Sequence, residues 1–167
     1  MASEAGDVVV DSGAVLTSAQ TWRDGAPGLT LEALEVTDEV VVVGAADPVG
    51  LARLARALVE LREEWDDTPV RVVVNRMRPS LGWSRSDVAG MVEGFARVRT
   101  LHFLPEDRVA VDRALVAGRS VARESGSAVA TGVRDLVDAV WPESSGAPEG
   151  ARRPRLSLRR AGTTRQR

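Results

Sequence analysis

The chain has 167 residues, room for one domain and a tail, and its 44% hydrophobic and 28% charged content is ordinary for a globular fold. It holds no cysteine, which excludes disulfide scaffolds, thiolate metal sites and cysteine nucleophiles. All 22 cationic residues are arginine, so neither a Schiff-base lysine nor a phosphate-loop lysine is present. Charge divides along the chain: residues 1–141 carry a net −7 and residues 142–167, with seven Arg against Glu143 and Glu149, a net +5. The first residues lack the basic and apolar regions of a signal peptide, and no apolar run approaches bilayer length. A soluble, cytoplasmic protein with no membrane span is expected.

In chain order, Asp7-Val8-Val9-Val10-Asp11 reads as a first strand and Glu39–Gly44 as a second. Continuous valine runs of this kind suit strands covered on both faces, as in parallel sheets. Asp47-Pro48 has the form of an N-cap with proline at the first helical position. From there Leu51, Leu54, Ala55, Leu58 and Leu61 recur at helical spacing as far as Trp65. Val70–Asn75 reads as a third strand. Ser84 or Ser86 starts a second helix burying Val88, Met91, Val92 and Phe95. Val98–Leu104 is a fourth strand, Glu106-Asp107 introduces a short helix ended by Gly118, and Ala128–Val140 is a last helix stopped by Pro142. Strands alternating with helices predict a doubly wound α/β sheet.

After Trp141 the composition turns to Pro, Gly, Ser and Arg, with Leu156 and Leu158 as the only large apolar residues. Too little surface can be buried there to offset the ordering entropy, so residues 142–167 are expected to be a disordered tail. Arginines within residues 152–167 could touch nucleic acid or anionic lipid; a solvated tail is the simpler reading.

Ligands of open α/β sheets bind at the carboxyl ends of the strands. Three groups fall there in this reading: Asp11 with Gly13, Asn75 with Arg76, and Pro105-Glu106-Asp107. An aspartate closing an apolar strand suits a carboxylate serving magnesium beside a triphosphate, and a nearby glycine lets backbone approach a phosphate. An asparagine offers both donor and acceptor to a base edge. Each also has a plain structural reading: a cap for Asp11, an Asx-turn for Asn75, a helix start for Pro105–Asp107. His102 has no Cys or His partner, Ser12 has no neighbouring base, and the four tryptophans are scattered; none of these suggests chemistry.

The order Asp7–Asp11, Val40–Pro48, Val72–Arg76 and Leu104–Asp107 with Gly118 resembles the C-terminal half of the MinD/ParA-type ATPases, most of all the MinD-like proteins that include the pilus-assembly ATPase CpaE. The resemblance spans about residues 6–141. It implies a partial P-loop NTPase-like sheet in residues 1–141. It also implies Asp11 as the catalytic, magnesium-side carboxylate, Asn75 at the adenine, Pro105, Glu106 and Asp107 lining the base pocket, and Gly13 and Arg76 among the cofactor-binding residues. Members sort chromosomes, plasmids, division sites, flagella or pili through ATP-dependent dimerisation, so a homodimer or a partner ATPase is expected.

The family opens with a glycine-rich loop containing two lysines, and this chain has neither. ATP and Mg are therefore expected to bind only if an N-terminal half with the P-loop strand and helix is supplied, and the chain by itself is expected not to hydrolyse ATP. The alternatives are a non-catalytic module that pairs with a full-length ATPase and a nucleic-acid binder acting through the tail. In the complete fold, as the resemblance implies, the P-loop strand separates strand 7–11 from strand 39–44. Without it, those two strands are expected to close up and pair directly, because bare strand edges are rarely left in water.

Overall fold

The computed structural model describes residues 7–12, 33–34, 36–64 and 69–142. Among these residues the sheet has three strands, β1 (Val41–Ala45), β2 (Val70–Met77) and β3 (Val98–Pro105), in the order β1-β2-β3 and parallel throughout. Parallel neighbours need long crossovers, and helices supply them: α1 (Pro48–Glu64) joins β1 to β2, and α2 (Arg85–Glu93) joins β2 to β3. Helices α3 (Arg108–Val116) and α4 (Ala128–Val140) follow β3.

The helix starts follow from local chemistry. The Gly50 N–H donates to Asp47 Oδ1 at 2.9 Å, directly ahead of Pro48. Ser84 and Asp87 form a reciprocal capping box at α2, and Ser127 caps α4. Gly50 is required by proximity: a Cβ there would meet Ala45 O at 2.5 Å, so the first turn of α1 lies against the end of β1.

Side-chain alternation along β2 feeds two cores. Val70, Val72 and Val74 face Leu51, Leu54, Leu58 and Leu61 of α1 and Val88 and Val92 of α2. Val73 faces the other way, with Leu104, Val129 and partly buried Val133 and Leu136 of α4. Helices thus occupy both faces of an open parallel sheet, as expected for a doubly wound arrangement. The second face is covered unequally. Val73 is 1% exposed beneath α4, whereas Val41 and Val43 of β1 are 37% and 63% exposed.

Several expectations need correction. Residues 7–11 form no strand, and Val8, Val9 and Val10 are 84%, 76% and 64% exposed. They do not pair with β1, so the expected closure is not seen; among the described residues β1 has a ladder with β2 alone. A valine run marks a strand only where a neighbour supplies hydrogen bonds and cover, and among the described residues no strand pairs with this run. The third strand also continues past Asn75 to Met77 through an irregularity between Val74 and Met77. Gly13 and residues 143–167 lie outside the described residues, so the tail expectation is not addressed.

Candidate functional site

The carboxyl ends of the three strands meet in one row. The Ala46 N–H donates to Asn75 O at 2.8 Å, and the Glu106 N–H donates to Met77 O at 2.9 Å. These bonds bring Asp47, Asn75–Arg78 and Pro105–Glu106 side by side. Trp83 follows the 3-10 turn Pro79–Leu81 and donates from Nε1 to Ala46 O at 3.1 Å, tying the loop after β2 to the end of β1.

At the centre, Asn75 Oδ1 accepts the Arg76 N–H at 2.8 Å, the Asx-type contact of the structural reading. The same oxygen retains a second lone pair, and the carboxamide retains its N–H donors. Arg76 is the one non-glycine residue among those described with a positive φ, 61°, and it is exposed. That conformation is uncommon for a side chain without local hydrogen-bonding ability and costs about 1 kcal/mol or more. The backbone therefore turns at the point where the central strand reaches the open rim.

Flanking charges are mutually engaged. Arg78 Nη1 lies 3.3 Å from Glu106 Oε2, and Arg108 Nε lies 3.2 Å from Glu106 Oε1. The Asp47 carboxyl is held below its usual range, first by the Gly50 amide and in lesser part by Arg78, against the opposing effect of desolvation. Asp107 is committed to structure: its Oδ1 caps the Ala110 N–H at 3.0 Å and its Oδ2 accepts the Ser127 hydroxyl at 2.9 Å. Both oxygens thus lock the starts of α3 and α4 together, so the helix-start reading of Asp107 accounts for its contacts.

The row gathers Asn75, Arg76, Pro105 and Glu106 of the expected site residues. Residues 7–11 are not in a strand, so Asp11 does not stand at a strand end. Among the described residues no group of three or more His, Asp or Glu side chains is placed to hold a metal ion. Sequence reasoning missed Arg78 and Trp83, which no spacing rule connects with positions 46, 47 and 106. Asp47 was seen only as a cap.

A second polar group lies toward the amino ends of the strands. Arg71, buried on the α4 face, donates from Nη1 to Thr100 Oγ1 at 3.0 Å. Its Nε lies 3.1 Å from Glu39 Oε1 without hydrogen-bond geometry, so charge rather than a directed bond joins that pair. Arg99 Nη1 bonds Glu39 Oε2 at 3.0 Å, and His102 Nε2 is 3.1 Å from Thr100 Oγ1. Burial, reinforced by Arg71 and opposed by Asp135, lowers the His102 pKa. This group ties the three strand starts together.

Compared with protein-family models, curated proteins and solved structures, the chain matches none. No helix among the described residues is long and apolar enough to cross a membrane.

Proposed function

We propose that the chain is the base-side half of an adenine-nucleotide-binding domain of the MinD/ParA kind, serving partitioning, positioning or pilus assembly as a dimer or beside a partner ATPase. The observation that carries this reading is the adjacency of Asn75-Arg76 and Pro105-Glu106 at neighbouring carboxyl ends of a parallel sheet, with the turned backbone of Arg76 between them. Asn75 offers the base its carboxamide, Pro105 an apolar wall, and the Arg78–Glu106 pair holds that wall against the central strand. The set lacks the lysines and glycine-rich loop that hold a triphosphate in that family. About three neutral hydrogen bonds at about 0.5–1.5 kcal/mol each give at most millimolar binding, which corresponds to about 4 kcal/mol. The chain alone therefore recognises the base weakly and does not hydrolyse ATP.

Titration with adenosine, ATP and GTP, followed by backbone amide and Asn75 side-chain NMR signals, tests the reading. Adenosine and ATP should shift Ala46, Asn75, Arg76 and Glu106 alike at millimolar concentration, GTP should shift them less, and Asn75→Ala should abolish the difference. Equal responses to ATP and GTP, or no response to any, would sink it. Measurable ATP turnover abolished by Asp11→Ala would refute the inactivity of the isolated chain.

A second reading, a non-catalytic module for a partner ATPase, is favoured by the exposure of Val109, Leu115 and Val116 on α3.

A further inference from the structure

Helix α3 is held to the body by one narrow stripe. Ala110 and Ala114, one turn apart, are its buried residues. Every other side chain from Arg108 to Val116 is exposed, those of Val109 and Val116 to 68% and 91%. Valine is a poor helix former, because its χ1 freedom is lost against the preceding turn. The exposed valines at 109, 111 and 116 therefore serve neither the core nor the local stability of α3. Single exposed apolar residues need no explanation, but three valines and Leu115 on a nine-residue helix make a patch.

The order of residues on this patch indicates what covers it. Val109, Asp112, Arg113 and Val116 are spaced i, i+3, i+4 and i+7, one stripe of the helix turned roughly 130° from the two alanines. Valine stands at each end of the stripe, and an acid and a base stand side by side at its centre. The charges are available for an outside partner. No ion pair among the described residues engages Asp112. Arg113 Nη1 lies 3.8 Å from Glu124 Oε2, whereas Arg119 is nearer to that carboxylate at 3.3 Å.

We propose that α3 is a self-association surface, pairing antiparallel with α3 of a second copy about a two-fold axis that passes between Asp112 and Arg113. This register sets Val109 of each copy on Val116 of the other, and Asp112 of each on Arg113 of the other. A two-fold interface demands such a self-complementary patch. An axis through Asp112, or a parallel pairing, would set like charges against each other, which disfavours both. The match of the stripe to its own reverse is what selects a second copy over an unrelated protein. Two turns of helix, about 13 Å long, cannot bury the roughly 1,200 Å² of a stable interface, so the association is weak and depends on concentration. It needs no nucleotide and does not depend on the base-side reading.

The chain has no cysteine, so single cysteines report the register. Full-length Val109→Cys and Val116→Cys chains are mixed without nucleotide in a glutathione redox buffer. Disulfides from 109 to 116 should exceed either like-to-like link by about ten-fold, against the about two-fold of random encounter. Two 109 positions would lie about 10 Å apart along the axis, too far for a disulfide. A random yield would overturn the proposal, as would an excess of like-to-like links, the result for parallel helices. Sedimentation velocity over an about fifty-fold concentration range measures the association itself. The unmodified chain should self-associate, and Asp112→Arg, which sets Arg against Arg, should weaken this by at least about ten-fold. Val116→Asp should do the same, and at an exposed position it leaves the core untouched. A chain monomeric at every concentration would assign the face to a different protein and sink the idea. Self-association that both variants leave intact would place the contact elsewhere and sink it equally.

Discussion

The two faces of the sheet differ in how completely they are closed. On one face, α1 and α2 meet every inward residue of β2, and Leu58, Val72, Val74 and Val88 are fully buried. On the other, α4 seals Val73 and Leu104 but leaves Val41 and Val43 open to water. The difference follows from topology. Two crossovers on one face cover three strands, whereas one helix on the other covers the strand it follows and part of the next. Stability should therefore reside mainly in the first face, and the second should hold the adjustable parts of the molecule.

Cavity formation gives the sharpest contrast. Leu58→Ala should cost about 2–5 kcal/mol, because α1 cannot collapse into the space its side chain leaves, while Val129→Ala on the other face should cost about half as much. Chemical denaturation measures both, and equal losses would show that the two faces contribute alike. A smaller effect is expected where the second face is anchored. Asp107→Ala removes the cap of α3 and the acceptor of the Ser127 hydroxyl together, so a loss of about 1–2 kcal/mol is expected, with α3 and α4 loosened ahead of the sheet. Uniform loosening across α1 would argue against that locality.

The smallest effect is a pH dependence on the second face. The folded His102 pKa lies below its ordinary value of 6.5, so as pH falls through that value the unfolded chain takes up the proton first. Stability should be full above about pH 6.5 and decline as pH falls toward the folded pKa. Arg71, Thr100 and Asp135 are the groups facing the ring, and Asp135→Asn should steepen the decline because it removes the one attractive charge. His102→Asn should flatten it. A decline unchanged by His102→Asn would assign the effect to other groups.

Much of this was legible in the sequence. The pattern 48–64, the serine at 84 with aspartate at 87, and residues 106–118 announce helices through local geometry, which needs only neighbours in sequence. Valine runs at 40–43, 72–74 and the stretch 98–104 likewise announced parallel strands. The same signal failed at Val8–Val10, because pairing requires a partner strand that the run itself cannot specify. Likewise, Asn75 and Pro105-Glu106 were recognised as strand-end groups, whereas Arg78, Trp83 and the turned backbone of Arg76 were not, since each depends on which strand ends lie side by side.

The sequence by itself therefore determined the absence of lysine and cysteine chemistry, the helix boundaries and the parallel character of the sheet, all of which are local or compositional. Tertiary structure alone decided that Asp107 is a lock between two helices, that Glu39 joins Arg71 and Arg99 across three strand starts, and that Val41 and Val43 on one face stay exposed. Those outcomes depend on contacts between residues distant in sequence, and the free energy of such contacts is set by what the fold brings within reach.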